Sequence, residues 1–193
     1  MAHESQIYGA WADPAGIAAL SYDRMVLDAS HLYAHWRRCS LSSDFWARYT
    51  ALSVPVPAGP GRLRREAVES VLSYLLNELF ENCAKFSGGP IGSVRYEAWT
   101  RADDVVFQLT NHIEPARQPA FAQFIQDLLA GDPEELYFRR LEENAETNAR
   151  GSGLGYLTLM KDYGIRFGFR FSRAAPGSVA VEVQAHVQME ETE

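Results

Sequence analysis

Three side chains near the middle of the 193-residue sequence have types and spacing suited to phosphate chemistry: Glu78, Asn82 and Lys85. Steps of four and three along a helix bring a carboxylate, an amide and an ammonium onto one narrow stripe. Such a set can supply a proton acceptor, a Mg²⁺ ligand and a phosphate partner. Mg²⁺ keeps most of its waters and takes only one or two protein oxygens, so a single Asn carbonyl beside phosphate oxygens is an adequate anchor. The competing reading of the same stripe is a solvated helix face. Much later comes Gly151-Ser152-Gly153-Leu154-Gly155. Alternating glycines let backbone N–H groups approach an anion closely, and the helix that follows adds the positive end of its dipole. The alternative there is a flexible turn with a helix N-cap.

These residues need elements to hold them. Leu63 to Phe86 contains no glycine or proline and is rich in good helix formers. Val68, Leu72, Leu75, Leu76, Leu79, Cys83 and Phe86 share a broad apolar face beside the polar stripe. Gly88-Gly89-Pro90 predicts the end of that helix. The glycine cluster opens a second helix at Tyr156-Leu157-Thr158-Leu159-Met160. It is not a P-loop, because no Gly-Lys-Ser/Thr follows. It is not a dinucleotide fingerprint either, because the stretch before it, Leu136 to Ala149, reads as a helix rather than a strand.

The remaining pattern predicts an α+β protein. Residues 1–20 are weakly patterned. Met25 to Arg38 reads as an amphipathic helix, and Ser43 to Leu52 as a second one capped by Ser42 or Ser43. Val54 to Gly61, with three prolines and two glycines, is a helix-forbidding connector. Ser93 to Thr100 and Asp104 to Leu109 read as a strand pair turned at Arg101-Ala102-Asp103. Gln118 to Ala130 and Pro133 to Ala149 are predicted helices, with Asp132 capping the second and Pro133 starting it. Strands over Ile165 to Ser172 and Ser178 to Gln188 complete the chain. This order suits a two-layer α/β sandwich with a short N-terminal helical extension. The expected divisions are 1–61 for the extension and connector, 62–189 for the main domain and 190–193 for an acidic tail.

Composition narrows the function classes. Net charge of −7 and a pI near 5.3 argue against a nucleic-acid surface. The N-terminus lacks a secretory pattern and no apolar run approaches a membrane span, so a cytoplasmic, membrane-free protein is expected. Cys39 and Cys83 lack metal-ligand spacing and are expected to stay reduced. His31 and His35 stand four apart without a third ligand, which reads as an ordinary helix. Trp36-Arg37-Arg38 reads as a packing corner. No nucleophile elbow is present.

Taken in order, the two motif segments resemble a known superfamily. Asn77-Glu78-Leu79-Phe80-Glu81-Asn82-Cys83-Ala84-Lys85-Phe86 is similar to the N-box of the GHKL (histidine-kinase-like) ATPases, and Gly151-Ser152-Gly153-Leu154-Gly155 to their second glycine box. The resemblance spans Ala67 to Ser172. It implies a Bergerat-type ATP-binding fold with ATP and Mg²⁺ as cofactors: Asn82 as metal ligand, Glu78 as general base, and Lys85, Gly151, Gly153 and Gly155 on the phosphates. The family's Asp-x-Gly-x-Gly, whose Asp reads adenine, is missing. Its place reads Thr110-Asn111-His112-Ile113-Glu114-Pro115, where Asn111 offers an amide to adenine or simply ends a strand in a turn. No phospho-accepting His element precedes the N-box, so a sensor histidine kinase is excluded.

As a small stand-alone domain without a phospho-acceptor His, the chain resembles the anti-sigma-factor serine kinases of bacterial partner-switching systems. This resemblance implies a serine/threonine kinase, and a homodimer, acting on a STAS-type antagonist, with a PP2C-like phosphatase or a response regulator in the same pathway. The alternative is a degenerate scaffold that regulates by binding alone, with Tyr137, Phe138 and Leu141 as its exposed partner surface.

Overall fold

A computed structural model describes residues 5–28, 36–53, 61–86, 92–147, 153–175 and 177–189. The described elements run β1 (Gln6–Gly9), β2 (Ser21–Asp28), α1 (Trp36–Ser53), α2 (Gly61–Phe86), β3 (Ser93–Thr100), β4 (Asp104–Ile113), α3 (Gln118–Leu129), α4 (Pro133–Thr147), α5 (Leu154–Tyr163), β5 (Arg166–Ala175) and β6 (Ser178–Gln188). The six strands form one antiparallel sheet in the order β1-β5-β6-β4-β3-β2. Helices and sheet pack as an α+β sandwich.

The core lies between the sheet and the helices. Leu72, Leu75, Leu76, Leu79 and Phe80 of α2 meet Tyr96, Phe107 and Leu109 of the central strands, and Phe167, Phe169 and Phe171 of β5. α5 adds Tyr156, Leu157 and Leu159 to the same cluster. At ~1.5–3 kcal/mol for each fully buried large apolar side chain, this cluster dominates the drive to fold.

Several sequence expectations hold. The β3–β4 hairpin turns at Arg101–Asp103, where the Arg101 guanidinium also bridges to Asp104. Asp132 caps α4, its Oδ1 accepting from the N–H groups of Glu134 at 2.9 Å and Glu135 at 3.2 Å. Gly61, expected as the last connector residue, opens α2; residues 54–60 lie outside the described residues, as do 87–91, which include the expected glycine-proline stop.

Others are corrected. Residues 21–28, partly assigned to an amphipathic helix from Met25, form strand β2. Pairing with β3 along its whole length overrides helix periodicity, and strict alternation sends Met25 and Leu27 toward the helices. Residues 29–35, with His31 and His35, lie outside the described residues. Ser43 is not a cap but a buried residue inside α1, its hydroxyl donating back to the Cys39 carbonyl at 2.7 Å. The described residues of the 1–61 segment are therefore not a helical extension. They contribute β1 and β2 to the two edges of the sheet, and α1 carries Cys39 and Ala47 into the common core.

Because β1 and β2 sit at opposite edges, residues 10–20 must cross the sheet. They do so on the face away from the helices. Ala10 N–H donates to the Phe167 carbonyl at 2.8 Å at one end, and Leu20 N–H to the Thr100 carbonyl at 2.8 Å at the other. Gly168 makes room for this strap: a Cβ there would fall 2.3 Å from the Ala10 carbonyl oxygen. Beneath the strap lies a buried polar chain. Arg170 donates twice to Glu182, at 2.5 and 2.7 Å, and Gln108 donates to the same carboxylate at 3.3 Å. Gln184 donates to Gln108 at 2.9 Å and to the Ala12 carbonyl at 2.8 Å, while Ala12 N–H returns a bond to Gln184 at 2.9 Å. Trp11 of the strap closes the stack over the Arg170 guanidinium.

Candidate functional site

The polar stripe of α2 and the first turn of α5 come together on the helical side of the sheet. Glu78 is half-buried, and its carboxylate lies directly against Gly155. A Cβ on Gly155 would stand 2.0 Å from Glu78 Oε2 and 2.5 Å from Cδ, so only glycine permits the contact. Burial, then the neighbouring Glu81, hold the Glu78 carboxyl above its ordinary range, and Lys85 opposes them. A carboxyl raised this way holds a proton more readily than a solvated one, a property useful in a general base.

Asn82 stands one turn further along α2 and reaches α5. Burial first, then Cys83, push the Tyr156 phenol far above its usual range, while a side-chain hydrogen bond with Asn82 opposes them. Thr158 of α5 similarly hydrogen-bonds Tyr74 of α2. Tyr156 and Tyr74 thus bring α5 and α2 side by side at the stripe.

Gly153 is the N-cap of α5 with φ +89°, a left-handed conformation that favours glycine, and it supplies no capping side chain. The recess beside it is lined by apolar Phe124, Leu128, Leu136 and Leu157 together with Asp127, Arg139 and Arg140. Arg140 Nε is 4.0 Å from where a Gly153 Cβ would stand, and its guanidinium also bonds Glu143 at 3.1 Å.

The remaining expected site residues fare differently. Lys85 is 64% exposed and its Nζ lies 3.6 Å from Glu81 Oε2, so it turns toward Glu81 rather than continuing the Glu78–Asn82 stripe. Gly151 lies outside the described residues. Asn111 does not end a strand in a turn: β4 runs on to Ile113, in register with β6. Asn111 is buried at 4% exposure and engaged within the fold, on the helix-facing side between Leu109 and Ile113.

Sequence reading passed over Tyr74, Tyr156 and Arg140. Tyr156 was legible as a buried helix residue but not as a partner of Asn82. The Arg139-Arg140 pair had a signal, two adjacent cations midway along a predicted helix, but its approach to the glycine turn depends on how α4 folds back on α5.

Structure and chemistry together define an α+β sandwich with a polar, glycine-walled junction between two helices. Among the described residues, no helix is long and apolar enough to cross a membrane. No known protein family, curated protein or solved structure matches the chain.

Proposed function

We propose that this protein binds ATP·Mg²⁺ at the α2–α5 junction and regulates a small partner protein, as a serine/threonine kinase of the GHKL type. One observation carries the reading: the carboxylate of Glu78 and the backbone of Gly155, from motifs distant in sequence, are in contact. The resemblance required those motifs to share a site, and nothing in local sequence forces them together. The Bergerat-type description of the fold is part of the same proposal. It rests on element order: a stripe-bearing helix, a hairpin, intervening helices, a glycine-opened helix and a second hairpin.

The donor set suits the group it would hold. Asn82 offers one amide oxygen, which is enough for Mg²⁺ bound mainly by water and phosphate. Mg²⁺ supplies charge neutralisation along the phosphates. Gly153 and Gly155 expose the N–H groups of the first α5 turn to the same region. Arg140 stands near enough to join them. Lys85 is held only by an exposed ion pair worth ~0–1 kcal/mol, so it leaves Glu81 for a phosphate at little cost. Asn111 is the sole polar side chain among the helix-facing residues of β4, which suits a base-reading role.

In the reaction, Glu78 accepts the proton of a Ser or Thr hydroxyl as that oxygen bonds to the γ-phosphorus and ADP leaves. The protein's part is positioning and electrostatics. A STAS-type antagonist is the proposed substrate, with a PP2C-like phosphatase or a response regulator completing the pathway in the cytoplasm. The test is transfer of labelled γ-phosphate to a co-encoded STAS-like protein. Glu78→Gln keeps the shape of the side chain and should slow transfer by roughly 10²–10⁴-fold with little loss of ATP affinity. Equal rates for Glu78→Gln and wild type would remove Glu78 from the chemistry.

A second reading, a scaffold that regulates by binding alone, has its own observation. Of the three expected surface residues on α4, Phe138 and Leu141 are 53% and 38% exposed, an apolar pair where a partner could seat, whereas Tyr137 is partly buried against the core. Binding of the partner without phosphate transfer favours it.

A further inference from the structure

A helix packed on a protein surface normally turns polar residues outward. α1 does the reverse. Its inner side, Cys39, Ser43, Ala47, Thr50 and Ala51, is small or polar and buried against the rest of the protein. Its outermost side carries Leu41, Phe45, Tyr49 and Leu52, which are 69%, 59%, 43% and 61% exposed. Spacings of four, four and three keep these side chains on one stripe along the helix. The stripe has a firm base: Phe45 stacks on Tyr49 with centroids 6.1 Å apart, both rings contact Trp46, and Trp46 packs on Tyr96 of β3. At ~150–250 Å² for a large aromatic side chain, the four residues leave on the order of 450 Å² of apolar surface in water. That lies within the range of the largest patch on a typical monomer, where function concentrates.

We propose that this stripe pairs with the same stripe of a second copy, as an antiparallel helix pair about a two-fold axis between Phe45 and Tyr49. The choice of a second copy rests on self-complementarity. Reversing the helix about that axis sets Leu41 against Leu52 of the other copy and Phe45 against its Tyr49. Asp44 and Arg48 are both exposed and lie on one flank of the stripe, toward the α2 side where Asp44 accepts from Ser73 at 2.5 Å. In an antiparallel pair the same flanks meet, so each Asp44 faces the opposite Arg48 and the attraction occurs twice. In a parallel pair the same flanks lie on opposite sides, so Asp44 and Arg48 would not meet across it and the attraction would be lost. The stripe is below the ~800 Å² per partner of a standard interface, so the pair is a reversible one. This interface stands on α1 alone and does not depend on the nucleotide reading.

Sedimentation velocity of the full chain from roughly 1 to 100 μM tests it, a span that brackets micromolar association. Wild type should pass from monomer to dimer across that range. Phe45→Glu, and independently Leu41→Glu, should weaken association at least about tenfold while circular dichroism and the melting midpoint stay close to wild type, because both side chains are exposed. The charge flank gives a sharper check. Asp44→Arg alone and Arg48→Asp alone each place like charges together and should be largely monomeric. An equimolar mixture of the two, one of them carrying a mass tag, should form heterodimers, since every facing pair is then opposite in sign. The proposal is overturned by a wild type that stays monomeric throughout, by a dimer indifferent to Phe45→Glu and Leu41→Glu, or by a mixture that associates no better than either variant alone.

Discussion

The two faces of the sheet are covered in opposite ways. On one side α2 and α5 lie over a mainly apolar layer, with Glu78, Asn82 and Gly155 gathered at their junction and Asn111 buried in the sheet below the helices. On the other a single strap, with one 3-10 turn at Pro14–Gly16, covers Glu182, Gln184 and His186, which are all nine-tenths or more buried. The helical side is held by area and tolerates changes in detail. The strap side is held by bonds that must each be satisfied, because a buried polar group without a partner costs more than its hydrogen bond gains. Stability on the helical side is therefore spread over many residues, whereas on the strap side it hangs on a few, Arg170 foremost.

The largest effect should come from that residue. Arg170→Met removes the guanidinium from a carboxylate only 6% exposed and leaves Glu182 charged beneath the strap. Urea unfolding should show a loss of about 3 kcal/mol, near the lower end of the range for a broken buried pair because Arg170 is itself 28% exposed. Adding Glu182→Met should restore most of it. A loss below about 1 kcal/mol would place the pair with ordinary surface bridges and dissolve the contrast between the faces.

On the helical side, Gly155→Ala should cost about 1–2 kcal/mol, because the new Cβ must displace the Glu78 carboxylate. In a Glu78→Ala background the same change should become neutral or stabilising, since Ala is otherwise the better helix former by roughly 1 kcal/mol. The sign reversal in this double-mutant cycle is the readout. Equal costs in both backgrounds would mean that Gly155 is needed for some reason other than Glu78.

The smallest effect is one of pH, and its sign differs between the faces. Burial first, then Arg166 and Arg101, hold His186 below its ordinary value of 6.5, against an Ala10 backbone hydrogen bond and Asp104. Its contribution is present above pH 6.5 and is lost as pH falls through the depressed folded value. Glu78 is held above its ordinary value of 4.5, so its contribution is present below pH 4.5 and lost as pH rises through the raised one. His186→Gln should flatten the acid-side loss of stability. Glu78→Gln should raise stability near neutrality, with the gain fading toward pH 4.5. Identical pH profiles for both variants and wild type would remove titration from the account.

Much of the helical side was legible in the sequence because apolar periodicity reports it directly. Helix α2, the β3–β4 hairpin, the Asp132 cap and the final hairpin all follow from local pattern. The strap side was not legible, for a physical reason. Alternating Glu182, Gln184 and His186 along β6 look like the wet face of a half-buried strand, and only the crossing of residues 10–20 makes them interior. Strand β2 was missed because Met25, Val26 and Leu27 satisfy a helix stripe as well as an alternation, and its pairing with β3 decides between them. At the candidate site, the stripe and the glycines were visible as types and spacing. That Glu78 would meet Gly155, that Tyr156 would hold Asn82, and that Lys85 would turn to Glu81 are consequences of how α2 and α5 pack.

The central claim is that the α2–α5 junction is a nucleotide site anchored by Asn82. Calorimetric titration of ATP with and without Mg²⁺ into wild type and Asn82→Ala tests it most directly, with circular dichroism to establish that the variant is folded. The account predicts saturable, Mg²⁺-dependent binding to wild type that is lost in Asn82→Ala, while α2 persists because Ala is the better helix former. No binding to wild type, or unchanged affinity in folded Asn82→Ala, would contradict it.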